Sequence, residues 1–114
     1  MPRDYNLLLS DIAEAAEKIG RYLKGMTKKE FLADEKTADA VIRNLEIIGE
    51  VIGNFSFNEK QKHPNVDWQS IIGMRNVLVH EYFGVDLDIV WDTAKKDVPV
   101  LRKKIAAIQK GLLP

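Results

Sequence analysis

The residues best suited to chemistry lie between positions 72 and 84, in the stretch IGMRNVLVHEYFG, which holds Arg75 and His80. An imidazole titrates near neutral pH, so it can take up a proton and return it. A guanidinium keeps its charge and can hold a phosphoryl group through two parallel hydrogen bonds while negative charge builds there. Without a metal, these two groups supply what intramolecular cleavage of RNA needs, a reaction in which the 2′-hydroxyl attacks the neighbouring phosphate.

The spacing of Arg75 and His80 decides whether the two side chains can meet. In a regular helix, five residues turn the chain by about 140° from one to the other, so a single helix keeps their tips apart. A helix that ends at His80, or a second copy of the chain, would bring them together. Asn76 lies four residues before His80 and therefore shares its helix face.

A structural role for the same residues is the alternative. A guanidinium is rarely buried without a partner, and Arg75 can pair with Glu46 or Glu50 of an earlier helix. His80 can then satisfy carbonyl groups at the end of its own helix. The residues alone leave both interpretations open.

Hydrophobic spacing predicts helices along most of the chain. Steps of three and four residues keep apolar side chains on one stripe of a helix, and such stripes run over residues 5–24, 35–57 and 87–112. Another helix is expected over residues 68–79. The first two stripes comprise Leu8, Ile12, Ala15, Ile19 and Tyr22, and then Ala38, Val41, Leu45, Ile48, Ile52 and Phe55.

Polar residues mark where these helices begin. Thr27 and Glu30 have the spacing of a capping box, which starts a short helix. Asp34, Asp67 and Asp86 each precede a predicted helix and are expected to act as N-caps.

Breaks in the pattern complete the prediction of the fold. The polar stretch 58–66 contains Pro64 and is expected to form the main loop. Pro99 interrupts the last stripe, which predicts a kink or a restart near Asp97. No window alternates with period two, so no strand is predicted. The sequence therefore predicts one all-α domain over residues 1–114, an antiparallel bundle of four to five helices.

The chain is electrically neutral, but its charges are unevenly placed. It has 17 Lys and Arg and 17 Asp and Glu residues, which excludes a protein that coats nucleic acid by bulk positive charge. Residues 81–92 carry four acids and no base, whereas residues 95–110 carry six bases and one acid. The basic segment is either a solvated helix face or a patch that tracks a phosphate backbone or an acidic partner.

Other kinds of site are disfavoured. The chain has no cysteine, and His63 in the polar loop lacks companions for a zinc site. Asp86, Asp88 and Asp92 lack the glycine and the terminal glutamate of a calcium loop. We therefore expect no metal and no cofactor. No signal-peptide core or membrane span is visible, so we expect a cytoplasmic protein with no membrane partner.

The chain contains the motif Arg75-x4-His80-x-Tyr82, preceded by Ile71-Ile72-Gly73-Met74 and followed by Phe83-Gly84-Val85-Asp86. Trp91-Asp92 and Pro99 come further on. This pattern resembles the HEPN superfamily. The similarity is closest to the HepT toxins of MntA–HepT toxin–antitoxin modules, and it covers essentially the whole chain. The resemblance implies a homodimeric helical bundle that acts as a metal-independent endoribonuclease on tRNA or mRNA.

The resemblance also implies roles for individual residues. Arg75 and His80 would carry catalysis in a cleft formed by both protomers, and Asn76 would orient the histidine or the phosphate. The antitoxin, an MntA-like nucleotidyltransferase, would transfer AMP to Tyr82 and block the site. Independently of the resemblance, Glu46 and Glu50 are candidate supports of Arg75, with ordinary solvent-facing acids as the alternative. A non-catalytic HEPN subunit that docks a nucleotidyltransferase is the alternative function.

Overall fold

A computed structural model describes residues 4–64, 66–68 and 85–111 of the chain. The helix predicted over residues 68–79 lies almost wholly outside these ranges, so its existence stays a prediction. In the described ranges the structure is all-α and contains no strand, as the periodicity predicts. The helices are α1 (Tyr5–Leu23), α2 (Lys28–Leu32), α3 (Glu35–Gly53), α4 (Phe57–Gln61), α5 (Leu87–Asp92), a π-helical turn (Thr93–Asp97) and α6 (Val98–Gln109).

Side-chain caps fix where three of these helices begin. The hydroxyl of Thr27 accepts a hydrogen bond from the backbone N–H of Glu30, whose carboxylate accepts one from the N–H of Thr27, at 3.1 and 3.0 Å. Asp34 caps α3 by accepting from the Thr37 N–H at 3.0 Å. Asp86 caps α5 through the N–H groups of the two following positions, 88 and 89. These three predicted helix starts are confirmed.

One part of the predicted loop is helical instead. Residues 57–61 form α4, although the whole stretch 58–66 was expected to be a loop. The reason is a second capping box, in which Ser56 and Glu59 satisfy each other's backbone N–H groups at 3.0 and 2.8 Å. The local cap therefore outweighs the polar composition over one turn.

The helix is irregular at the place where Pro99 predicts a kink or a restart. A π-helical turn joins α5 to α6 there, but the helical backbone does not break, because Asp97 and Val98 both keep right-handed helical angles. The Val98 N–H donates to the carbonyl of Thr93, five residues back. A proline has no N–H and cannot continue the α-helical hydrogen-bond pattern, so a helix that contains one is usually irregular near it. Ala94, Val98 and Leu101 are all buried, so the apolar stripe continues across the junction.

Helix α1 packs between α3 and α6, antiparallel to both. The ring of Tyr5, where α1 starts, contacts Phe55 just after α3, with centroids 5.2 Å apart. Gln109 at the end of α6 donates to Ser10 near the start of α1, at 3.5 Å. Burial of the shared core stabilises this arrangement by about 25 cal/mol for each Å² of apolar surface removed from water.

Most stripe residues of α1 and α3 are buried as predicted, with one exception. Tyr22 is 36% exposed, and its neighbour Leu23 is buried instead at 2%. At 3.6 residues per turn, the position four residues after Ile19 stays closer to the stripe than the position three after it. None of the helices in the described part of the chain combines the length and the apolar character that crossing a bilayer requires.

Candidate active site

The motif residues Arg75, Asn76, His80 and Tyr82 lie outside the part of the chain that the structure describes. Their roles therefore stay predictions. We call residues 69–84, which carry these side chains, the motif segment. The structure does describe the residues on either side of it, namely Trp68 before it and Val85 after it.

Trp68 is fixed where the chain enters the motif segment. Its side chain is only 5% exposed, and its ring meets Phe55 edge to face with centroids 5.2 Å apart. The indole N–H donates to the carbonyls of Lys60 and His63, at 3.1 and 3.2 Å. A buried indole usually finds such a partner, and here it ties the turn after α4 to the start of the motif segment.

Tyr5 extends this aromatic cluster, a role that the sequence analysis did not foresee. Its ring stacks almost parallel to His63, with centroids 6.3 Å apart, and the ammonium of Lys62 lies 5.6 Å from the ring centre. The hydroxyl oxygen of Tyr5 is buried and has no hydrogen-bond partner among the described residues. Burial, and then the negative charge of Glu59, raise the pKa of Tyr5. Its position three residues before Leu8 on the apolar stripe was the available signal.

The chain leaves the motif segment next to α2. Asp86 caps α5. Asp88, in the first turn of α5, forms an ion pair with Lys28, with 2.7 Å between Oδ1 and Nζ. This hydrogen bond to Asp88 raises the pKa of Lys28. The rings of Phe31 and Trp91, each three residues further along the same two helices, pack with centroids 5.3 Å apart.

The two flanks of the motif segment lie at opposite ends of the bundle. Trp68 sits beside Phe55, where α3 ends and α1 begins. Asp88 lies beside Lys28, the first residue of α2, which follows the end of α1. Nineteen residues of α1 separate these ends by about 28 Å. The body of the protein therefore holds both ends of the segment that carries Arg75 and His80.

Glu46 and Glu50, the predicted supports of Arg75, lie one turn apart on α3. Glu46 is half-buried and Glu50 is exposed. Neither forms an ion pair with another residue in the described ranges. Both carboxylates are thus left for a partner such as Arg75, and the pairing itself stays a prediction.

Two of the acidic residues near α5 have structural roles. The carboxylate of Asp86 caps the helix, and that of Asp88 forms an ion pair with Lys28. Over residues 4–64, 66–68 and 85–111, no three His, Asp or Glu side chains lie close enough together to hold a metal ion.

Comparison with known proteins gives one consistent family. The model of the family described as "Ribonuclease HepT-like" matches residues 12–108. A protein of Thermococcus cleftensis named "Probable ribonuclease HepT" is 43% identical over 110 residues, which are 96% of this chain and all of that protein. A protein of Caldanaerobacter subterraneus subsp. tengcongensis named "Putative RNase TTE0752" is 39% identical over 107 residues, 94% of this chain and 93% of its own.

A protein of Methanocaldococcus jannaschii spans more than this domain. It is named "Gamma-glutamylcyclotransferase and putative RNase MJ0434" and is 38% identical over 112 residues, which are 98% of this chain but only half of that protein. No solved structure matches the chain significantly. The family match covers most of the chain and two of these relatives align over nearly their whole length, so this chain belongs to the HepT-like ribonuclease family.

Proposed function

We propose that this protein is a metal-independent endoribonuclease and the toxin of a toxin–antitoxin module. The observation that carries the proposal is the complete Arg75-x4-His80-x-Tyr82 string in a chain of the HepT-like ribonuclease family. The names of its relatives support ribonuclease activity in particular.

The proposed reaction needs only the RNA and these two side chains. His80 takes the proton of a ribose 2′-hydroxyl, and the 2′-oxygen forms a bond to the adjacent phosphorus. The bond from phosphorus to the 5′-oxygen of the next nucleotide breaks, and the imidazolium returns its proton to that oxygen. Arg75 stabilises the extra negative charge on the phosphoryl oxygens. The products are a 2′,3′-cyclic phosphate and a free 5′-hydroxyl.

The proposed site is shared between two protomers of a homodimer. Arg75 and His80 of one regular helix would point about 140° apart, and a facing copy of the helix removes this obstacle. A two-fold interface places the same patch of both protomers face to face, so Arg75 of one chain would approach His80 of the other. Asn76 would orient the histidine or the phosphate, and Glu46 and Glu50 would hold Arg75.

The proposed antitoxin is an MntA-like nucleotidyltransferase that modifies Tyr82. The phenolic oxygen of Tyr82 would give up its proton to a base of the nucleotidyltransferase and attack the α-phosphorus of ATP, forming an oxygen–phosphorus bond as pyrophosphate leaves. An AMP group two residues from His80 adds negative charge and bulk. It would repel the RNA backbone and occupy Arg75, which inhibits cleavage.

Incubation of the purified chain with total tRNA in excess EDTA tests the proposal. Cleavage that leaves 2′,3′-cyclic phosphate ends is the expected result. Intact tRNA, together with tight binding of a nucleotidyltransferase, would instead identify the chain as a docking subunit without catalytic activity.

A further inference from the structure

Positive charge is concentrated on one side of the bundle, along the π turn and α6. Residues 95–110 include six lysines or arginines and a single acid, Asp97. Five of the six cations are exposed, and Lys104 is half-buried. Lys103 in α6 and Lys110, the C-cap residue directly after it, are seven residues apart, which places them on one face about 10.5 Å from each other.

Three of these cations have no acidic partner in the described part of the chain. Arg102, Lys103 and Lys110 form none of the ion pairs there, whereas Lys18 pairs with Glu14 at 3.3 Å. Unpaired exposed cations keep their full charge available for an external anion, and binding a polyanion releases that anion's condensed counterions.

A groove between α1 and α6 gives this charged surface its shape. Its volume is about 380 Å³, and small residues on both helices, among them Ala16, Gly20 and Ala106, leave it open. Arg102 and Lys103 are the two cations that line it. A Cβ atom built on Gly20 would lie 3.9 Å from the Arg102 guanidinium, so that guanidinium reaches across to α1.

We propose that this surface, formed by Arg102, Lys103 and Lys110 beside the α1–α6 groove, binds the sugar–phosphate backbone of RNA. The inference rests on the proposed ribonuclease function and adds the surface that holds the substrate away from the cleaved bond. A neutral chain cannot attract RNA through its total charge, so the attraction must come from a local surface. The contacts are to the backbone, so they hold RNA without selecting a sequence.

The composition of α6 favours RNA over an acidic protein as the occupant. Its sequence, VPVLRKKIAAIQ, contains no aromatic residue. Protein interfaces are enriched in aromatic residues and depleted in lysine at their centres. A lysine-rich helix beside a small groove therefore fits a phosphate chain better than a protein partner.

Helix α3 offers a matched control. Lys36 and Arg43 are exposed and also seven residues apart, but acids accompany them on the same helix: Asp39 lies between the two, and Glu46 and Glu50 follow Arg43. Removing these two cations changes the total charge by the same amount as removing Lys103 and Lys110. The two double variants therefore separate a local binding surface from a general effect of charge.

The test measures binding of a fluorescein-labelled 2′-O-methyl RNA strand to the full chain, because this RNA lacks the attacking hydroxyl and is not cut. Binding is followed by anisotropy from about 50 to about 200 mM salt. For the K103Q/K110Q variant, the slope of log affinity against log salt should become shallower by about 1.4, or about 0.7 for each lost contact. The wild-type affinity should then fall about sevenfold more over this range than that of the variant. The K36Q/R43Q variant should behave as the wild type does.

Other outcomes would overturn the inference. It fails if the two variants bind alike, or if the wild type does not bind this RNA at all. It also fails if polyglutamate of equal charge displaces the RNA completely at an equal concentration of charges, which would mark α6 as a surface for an acidic protein. Cleavage of ordinary RNA is scored separately. Binding without cleavage contradicts the proposed function but not this surface. Cleavage, together with a salt dependence of RNA binding that is unchanged in K103Q/K110Q, contradicts this surface but not the proposed function.

Discussion

The rings of Trp68 and Phe55 meet edge to face, with centroids 5.2 Å apart. This contact joins the residue that leads into the motif segment to the residue that follows α3. Replacing Trp68 with alanine should lower the free energy of unfolding by about 3–5 kcal/mol, because it leaves a large cavity. Replacing it with phenylalanine keeps a ring but loses the donor to the Lys60 and His63 carbonyls, and should cost about 1 kcal/mol. Urea unfolding followed by circular dichroism measures both values, and a Trp68→Phe variant as stable as the wild type would show that the indole N–H contributes nothing.

The buried hydroxyl of Tyr5 should make the wild-type protein less stable than a variant without it. The oxygen has no hydrogen-bond partner among the described residues, and an unsatisfied buried polar group is unfavourable. Tyr5→Phe should therefore raise the free energy of unfolding by about 1 kcal/mol at neutral pH. A loss of stability of that size in Tyr5→Phe would mean that the hydroxyl is satisfied in solution.

The same tyrosine should make stability depend on alkaline pH. Burial and Glu59 raise the pKa of Tyr5 in the folded state above its ordinary value of 10.0, so the folded protein holds this proton more tightly than the unfolded chain does. The protonated tyrosine therefore leaves the folded state more stable than the ionised tyrosine does. This difference in stability is fully present below pH 10 and is lost as the pH rises through the folded-state pKa. Thermal unfolding from neutral to alkaline pH should show the wild type losing stability more steeply than Tyr5→Phe. Parallel curves would contradict the assignment.

A site shared by two protomers should be restored by mixing two inactive variants. Arg75→Ala and His80→Ala should each fail to cleave RNA alone. After unfolding and refolding together, about half of the dimers are mixed, and each mixed dimer has one intact Arg75–His80 pair. Cleavage should return to roughly a quarter of the wild-type rate. No recovery, with mixed dimers confirmed by native mass spectrometry, would place Arg75 and His80 of one chain in the same site.

Inhibition by AMP transfer should depend on Tyr82. Protein co-expressed with its nucleotidyltransferase partner should carry AMP adducts on the peptide that contains Tyr82, as seen by mass spectrometry. Tyr82→Phe should abolish the adducts and keep RNA cleavage active in the presence of the partner, whereas Tyr5→Phe should change neither. An unmodified Tyr82 in an inhibited complex would point to steric blocking instead.

Local chemistry made much of the fold predictable from sequence. Thr27, Asp34 and Asp86 begin helices because each side chain accepts from a backbone N–H within three residues, a distance that sequence spacing encodes. Pro99 marks the irregular turn between α5 and α6 because a proline has no N–H to continue the α-helical hydrogen-bond pattern. Such signals need no knowledge of the tertiary structure.

The features that sequence analysis missed depend on competition or on tertiary contacts. Residues 57–61 look like a loop by composition, but the cap formed by Ser56 and Glu59 is enough for one helical turn. The burial of Tyr5 arises from contacts with Phe55 and His63, which lie far from it in sequence. For the candidate site, the sequence identifies Arg75 and His80 by residue type and spacing, whereas their meeting across a dimer depends on contacts between chains, which spacing within one chain does not encode.

The most direct measurement compares the two histidines of the chain in RNA cleavage with excess EDTA. His80→Ala should lose about 100-fold or more in rate, the usual contribution of a general acid–base group. His63→Ala is the matched control, because His63 stacks on Tyr5 in the structural cluster. It should cleave at nearly the wild-type rate once its folded fraction has been measured by circular dichroism. A folded His80→Ala protein that cuts RNA as fast as the wild type would contradict the account.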